Sequence, residues 1–255
     1  MRSLRPAEKL LQELGVTHPG EIDLEAIAWH RGARVEYRSL DGCEAQIIGY
    51  GDKAIIIANE RSPPRRRRFS VAHELGHWQH HRGRSSICRT SEIGNYSRTS
   101  LNPERVADAY AADLLLPEYL FRPLANKLSH ISIDAASDLA GVFETSLTAT
   151  AIRLVEMGPE PALLICHGRD GRKWFKRGHG VPDRWFPSRE IGARSGALDV
   201  LYGREEQSSR ALTGAGAWFD RRDADSYEVY EQSVRISPTE ILSLVVINDE
   251  EMLEE

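Results

Sequence analysis

The segment HELGH at residues 73–77 holds the side chains best suited to chemistry. Two histidines four residues apart share one face of a helix, so both imidazoles can reach one metal ion at about 2.0–2.1 Å. Glu74 stands beside them, where a carboxylate can activate a water molecule. The spacing therefore predicts a metal-dependent hydrolytic site, provided that this segment is helical.

The residues before the motif indicate such a helix. Ser62-Pro63-Pro64 combines an N-cap residue with proline in the first turn and predicts a helix that runs to about His81. The alternative is a purely structural role for the motif, in which an exposed charge lies beside a core histidine and no metal is bound. We favour the metal site, because a helix necessarily brings the two imidazoles to one face.

A catalytic zinc needs three protein ligands and an open position, so a third ligand must come from elsewhere. The candidates are His80, His81 and a residue further along the chain. In a continuous helix these two histidines lie about 10.5 and 12 Å beyond His73 along the axis, too far to share its ion. Glu104 is the better candidate.

Glu104 opens a second predicted helix, which follows Asn102-Pro103 and is stopped by Pro117. Asp108 lies one turn later on the same face, where it can orient a ligand imidazole through its free nitrogen. Two carboxylates at this spacing commonly face solvent. The apolar residues around this pair instead indicate a buried helix, in which acids need partners.

The rest of the sequence predicts an α+β protein in which a small sheet precedes the motif helix. Helical spacing, alternation and a type II′ hairpin at Gly51-Asp52 define its elements. They are helices at residues 6–14 and 22–31 and strands at 34–37, 46–50 and 53–59. The polar stretch at residues 82–101 is predicted to be a loop.

Helical patterns return after the second motif helix and then give way to strands. A helix at residues 118–128 is broken or restarted at Pro123, and two short helices at 133–156 are separated near 141–146. Beyond Gly158-Pro159 the pattern predicts strands at 162–166, 173–175, 227–234 and 241–247 and a helix near 195–202. We therefore predict a catalytic domain at 1–128, a helix-turn-helix-like segment at 129–158 and an α+β domain at 159–255.

The composition is that of a globular protein. Of 255 residues, 41% are hydrophobic and 28% are charged, which excludes disordered, collagen-like and coiled-coil classes. The apolar runs fall far short of the roughly 18 residues that span a membrane, and the N-terminal residues do not form a signal peptide. Three cysteines make no disulfide framework. We expect a cytoplasmic protein without membrane association, and a net charge of −5 gives no general attraction to nucleic acid.

Two blocks of sequence, RRFSVAHELGH at residues 67–77 and ERVADAYAADLLLP at 104–117, together resemble the ImmA/IrrE family of metallopeptidases. The resemblance implies a zincin-like fold over about residues 5–125. It implies zinc ligands of the gluzincin type at His73, His77 and Glu104, with Glu74 as general base.

The family often has Glu or Gln where Val106 stands and Asn where Asp108 stands. The first departure makes Glu104 the expected carboxylate ligand, and the second leaves a supporting role for Asp108. Manganese is a possible alternative metal, because His and carboxylate ligands do not exclude it.

The resemblance also implies a zinc-dependent endopeptidase that cleaves a helix-turn-helix repressor and so switches on stress, phage or mobile-element genes. Similarity to longer family members implies that residues 159–255 are a regulatory, sensor-like module. Some members have no demonstrated proteolysis. The alternative is thus a non-proteolytic regulator that binds DNA or protein and uses zinc structurally.

A DNA-binding role would depend on the helix-turn-helix-like segment and on the basic and amide side chains that it carries. Reading DNA requires Arg, Lys, Asn or Gln at base edges and positive charge at phosphates. Between residues 133 and 156 only Arg153 is basic. We therefore favour a packing role for this segment, with DNA binding through 133–156 as the alternative. For Cys43 and Cys88 we favour the interpretation that both are reduced core cysteines. The alternative is that one of them acts as a thiolate that blocks or senses at the zinc.

Overall fold

The first part of the chain builds a four-stranded sheet. The computed structural model describes residues 5–80, 86–89 (backbone only) and 103–254. Two helices precede the sheet, α1 (Pro6–Glu13) and α2 (Leu24–His30), and its strands are β1 (Ala33–Arg38), β2 (Cys43–Tyr50), β3 (Lys53–Asn59) and β4 (Ser86–Arg89). The strand order is β1-β3-β2-β4, in which β1 is parallel to β3 and the other neighbours are antiparallel.

The hairpin between β2 and β3 has the predicted turn. Tyr50 pairs with Lys53, which leaves Gly51 and Asp52 as the two loop residues. Gly51 has a φ of 59°, and Asp52 is not among the residues with positive φ. A positive φ at the first loop position alone is the mark of type II′, so the prediction is confirmed.

The prediction of a loop at residues 82–101 is wrong in part. The segment contains β4 (Ser86–Arg89), which pairs antiparallel with β2 through Ala45 and Cys88, among other pairs. Four residues are too few to show an alternating pattern, and their conformation depends on a partner strand far away in the sequence. The remainder of the predicted loop, and Asn102 as an N-cap, lie outside the described residues.

Two helices pack together beside this sheet. α3 (Pro64–His80) carries the HELGH motif, and α4 (Pro103–Leu115) follows. α3 starts at Pro64, and the Ser62 hydroxyl donates to the Glu44 carboxylate at 2.5 Å, so the predicted capping role of Ser62 is replaced by a contact to β2. One hydrophobic core joins the sheet to both helices, and it includes Ile47, Ile56, Val71, Leu75 and Leu114.

Three helices follow α4. α5 (Glu118–Ala125) continues past Pro123 instead of breaking there, and it ends two residues later. α6 (Ile133–Val142) and α7 (Leu147–Met157) are separated at the predicted position. Glu144 in their turn has a φ of 54°, a left-handed conformation that terminates the helical geometry.

The C-terminal part forms a second, antiparallel sheet in the order β6-β5-β9-β8-β7. Four of its strands lie where alternation predicts them, whereas β7 has only four residues and escaped prediction. Its elements are β5 (Ala162–Gly168), β6 (Gly171–Arg177), α8 (Ala197–Tyr202), β7 (Ala211–Gly214), β8 (Glu228–Ser237) and β9 (Glu240–Ile247). Trp185, Trp218 and Phe219 pack with α8 and the sheet in a separate core.

The architecture is α+β, as the sequence predicts. The chain separates into two compact units. One comprises the chain up to Phe121 together with Ala140–Ser146, and the other comprises Arg122–Leu139 and the chain from Leu147 onward. The domain boundaries expected at 128 and 158 stay predictions. Among the helices described, none has the length and apolar character needed to cross a membrane.

Candidate metal centre

Three side chains from α3 and α4 converge on one point. His73 Nε2 lies 3.0 Å from His77 Nε2 and 3.2 Å from a carboxylate oxygen of Glu104, whose other oxygen is 3.3 Å from His77 Nε2. Within the described ranges, this is the group of three potential ligand atoms that all lie within 4.8 Å of one another. The α3 spacing supplies the two imidazoles, and the first turn of α4 supplies the carboxylate.

This donor set fits zinc. Ligand atoms at 2.0–2.1 Å around a tetrahedral ion are about 3.3 Å apart, close to the distance between the two imidazole nitrogens and to the distance from each of them to one oxygen of the Glu104 carboxylate. Two imidazoles and one carboxylate are also a known zinc donor set that leaves a fourth position open. Both histidines are buried, whereas the Glu104 side chain is 24% exposed, so one side of the cluster reaches solvent.

Asp108 contacts His73 on the side of its ring that faces away from the cluster. Its carboxylate lies 2.8 Å from His73 Nδ1, the ring nitrogen that does not face the cluster. Nδ1–H donates in this contact, so the lone pair of Nε2 points toward the other ligands. Burial opposes a charge on His73, but the Asp108 hydrogen bond and the nearby carboxylates outweigh burial and raise the pKa of His73.

Glu74 follows His73 directly on α3 and is fully buried. Burial raises the pKa of Cys43, the first residue of β2, and the negative charges of Glu74 and then Glu44 raise it further. A thiol with a raised pKa carries less thiolate at neutral pH, which argues against Cys43 as a reactive group or metal ligand. The side chain of Cys88 lies outside the described residues.

The two histidines that were set aside as metal ligands are His80 and His81. His80 is the last residue of the helix, and its ring contacts Tyr110 with centroids 5.8 Å apart. His80 lies seven residues beyond His73, about 10.5 Å along the helix axis, which is too far for the two imidazoles to share one ion. His81 lies outside the part of the chain that the structure describes.

Gly76 is a site residue that sequence reasoning missed. A Cβ at this position would lie 2.8 Å from Ala107 Cα and 2.9 Å from the Ala107 carbonyl oxygen. Glycine inside a helix costs about 1 kcal/mol relative to alanine, so its presence calls for a packing reason. Here the missing side chain lets α3 and α4 approach closely enough for Glu104 to meet the histidines.

The helix-turn-helix-like segment offers little to DNA. Arg153, its one basic residue, is only 4% exposed and lies 3.9 Å from the Glu156 carboxylate. Most of α7 is buried as well, including Thr150, Leu154 and Val155. These observations agree with the packing role favoured from the sequence.

Comparisons with known proteins give one similar fold and one family match. The fold is similar to that of a Mycobacterium tuberculosis transcriptional regulator, with a TM-score of 0.63 and 14% identity over 94% of this chain and 74% of that chain. No curated protein matches the sequence. The model of the M78 peptidase family, described as the IrrE N-terminal-like domain, matches residues 27–155, just over half of the chain. The chain therefore belongs to the ImmA/IrrE family of metallopeptidases.

Proposed function

We propose that the protein is a zinc-dependent endopeptidase in which His73, His77 and Glu104 hold the metal and Glu74 is the general base. The observation that carries the proposal is the convergence of three ligand atoms within 4.8 Å, with Glu74 adjacent in the same helix. Membership of a peptidase family supports the same reaction class.

Each side chain has a separate task in peptide hydrolysis. Zinc at such a site lowers the pKa of water to about 7 and polarises a carbonyl group. Glu74 accepts the proton of the attacking water and can then deliver it to the leaving amine, which keeps the proton balance within the site. Asp108 holds the His73 imidazole in one tautomer and one orientation.

As substrate we propose a cytoplasmic helix-turn-helix repressor, cut outside its folded DNA-binding head. The support is the family resemblance of the two motif blocks and a fold shared with a protein named as a transcriptional regulator. Cleavage would remove repression of stress, phage or mobile-element genes. Manganese could replace zinc in this donor set, since neither imidazole nor carboxylate excludes it.

The decisive test compares Glu74→Gln with the wild-type protein. Both are assayed for metal content and for cleavage of the repressor encoded beside this gene. We expect metal to be retained and cleavage to fall about 10²–10⁴-fold, the usual contribution of a general base. Glu13→Gln, an exposed acid of α1, is the matched control and should cleave at the wild-type rate.

Two results would contradict the proposal. Undiminished cleavage by Glu74→Gln would remove Glu74 from the mechanism. A gel shift with promoter DNA is run in parallel. Stable DNA binding without any cleavage would favour the alternative, a regulator with a structural zinc.

A further inference from the structure

The second compact unit contains a cavity of about 350 Å³, and we propose that it binds a small organic anion. Its walls are the β5–β6 turn at residues 168–171, the segment 189–191 and one side of α8. The proposal does not rest on the peptidase function, because every residue of the cavity lies outside the metal centre.

The cavity wall contains a buried histidine, His167. His167 is only 1% exposed, and among the described residues its ring nitrogens form no hydrogen bond of good geometry, although the Ser188 backbone lies close enough to act on the imidazole. Its ring contacts Trp218, with centroids 5.9 Å apart. Buried polar atoms are almost always paired, so a buried imidazole with an unsatisfied ring nitrogen at a cavity indicates a missing hydrogen-bonding group.

His167 is neutral at physiological pH. Burial lowers its pKa to about 4, the Arg172 charge acts in the same direction, and the Ser188 backbone only partly offsets them. A neutral imidazole presents one donor and one acceptor. A hydroxyl, carbonyl or ring nitrogen of a ligand could therefore satisfy either nitrogen without a charge being buried.

The charges at the cavity favour an anion. Arg169 and Arg189 are exposed residues of its wall, and in the described structure neither forms an ion pair within 4.0 Å. Two acids also line the cavity, Asp170 and Glu190, and Lys173 binds Asp170 at 2.7 Å and so offsets its charge. Planar guanidinium groups bind carboxylates and phosphates through paired hydrogen bonds.

The apolar side of the cavity calls for an organic body rather than a bare ion. Ile191, Leu198 and Leu201 also line the cavity. The volume lies within the range of about 300–1,000 Å³ found for small-molecule sites, which combine apolar walls with a few placed polar groups. A carboxylate or phosphate ester with an apolar or ring-containing body fits these features.

The cavity wall is fixed before any ligand arrives. The Arg172 N–H donates to the Arg189 carbonyl at 2.7 Å and ties the β5–β6 turn to the neighbouring segment. Gly171 has a φ of 104°, and a Cβ there would lie 2.9 Å from the same carbonyl. A wall built in this way reduces the entropy lost on binding.

The test uses the full-length protein and four probes: 2-oxoglutarate, benzoate, AMP and inorganic phosphate. Binding is measured by calorimetry and by the NMR shifts of the His167 imidazole. We expect at least one organic probe to bind with a Kd below about 1 mM and inorganic phosphate to bind more weakly. The carboxylate and phosphate probes together identify the preferred anionic group.

Variants tie any binding to this cavity. Arg169→Gln and Arg189→Gln should each weaken binding at least about tenfold. His167→Phe should also weaken it, without lowering the melting temperature, because the substitution keeps a ring of similar size and removes buried nitrogens that lack hydrogen bonds of good geometry. Arg222→Gln, an exposed arginine outside the cavity wall, should bind like the wild type.

Either of two results overturns the proposal. One is that no probe binds the wild-type protein at about 10 mM, which is ten times the expected Kd. The other is binding that the cavity variants leave unchanged. Glu74→Gln should bind the anion as tightly as the wild type, so a failure of the peptidase mechanism would be seen separately.

Discussion

Two imidazoles are buried equally deeply in this protein, and their surroundings give them opposite properties. His73 is 0% exposed and His167 is 1% exposed. Carboxylates approach both ring nitrogens of His73, and they raise its pKa despite burial. His167 has no such partners in the described structure, and burial lowers its pKa to about 4.

The comparison shows that burial alone does not determine the charge of a histidine. Desolvation disfavours the imidazolium in both cases, and only nearby acids reverse that preference. At the candidate metal centre the Asp108 carboxylate also favours one tautomer of His73, as a metal ligand requires. At the cavity the imidazole stays neutral and its hydrogen-bonding capacity remains available.

The largest expected effect concerns acid stability and follows from His167. Its pKa is about 4 in the folded protein against an ordinary value of 6.5, so only the unfolded chain binds this proton between those values. The contribution to stability is complete above pH 6.5 and is lost as the pH falls to 4, by about 3 kcal/mol. Urea unfolding of the wild type and of His167→Phe across this pH range measures the difference.

Other groups titrate in the same window, so the comparison of variants is what isolates His167. The stability of His167→Phe should fall less steeply than that of the wild type. His179→Phe, which replaces an exposed histidine of the same unit, should follow the wild-type curve. Parallel curves for all three proteins would show that His167 is not kept neutral by burial.

A smaller effect is expected from Asp108 at the other imidazole. Asp108→Ala removes the partner of His73 Nδ1 and should weaken zinc binding about 10–100-fold, as measured by competition with a chelator. Asp108→Asn should lose less, because its amide oxygen can still accept from Nδ1–H. Wild-type affinity in both variants would mean that Asp108 does not orient the ligand.

The difference between the two regions also explains what the sequence could predict. The metal centre depends on local spacing: HELGH lies on one helix, and Glu104 and Asp108 lie on the first turns of the next. The helical period places the two residues of each pair on one helix face. The contact between the two helices, 31 residues apart at His73 and Glu104, was expected from the two acids in an apolar helix and from the resemblance of the two motif blocks.

No local sequence pattern predicts the cavity. His167 lies in a strand, and it meets Arg189 and α8 only through the folding of segments some twenty to thirty residues away in sequence. The short strands β4 and β7 were missed for a related reason, since their conformation depends on pairing with distant strands. Local periodicity carries no information about contacts of this kind.

Gly76 belongs to the motif but was not identified as a site residue from the sequence. Its substitution gives the smallest expected change in the free energy of unfolding. Gly76→Ala should gain up to about 1 kcal/mol from helix propensity and lose about 1–3 kcal/mol from the clash with the Ala107 backbone. The net result should be a loss of about 1 kcal/mol in urea unfolding. Zinc affinity should fall as well, because the added methyl group separates the helix of His73 and His77 from that of Glu104.

Gly141→Ala is the matched control for this effect. Gly141 also lies in a helix, α6, but a Cβ there would meet no atom within 4 Å. The same substitution should therefore stabilise the protein by up to about 1 kcal/mol and leave zinc affinity unchanged. If Gly76→Ala instead behaves like Gly141→Ala in both measurements, the close approach of α3 and α4 does not hold the ligands together.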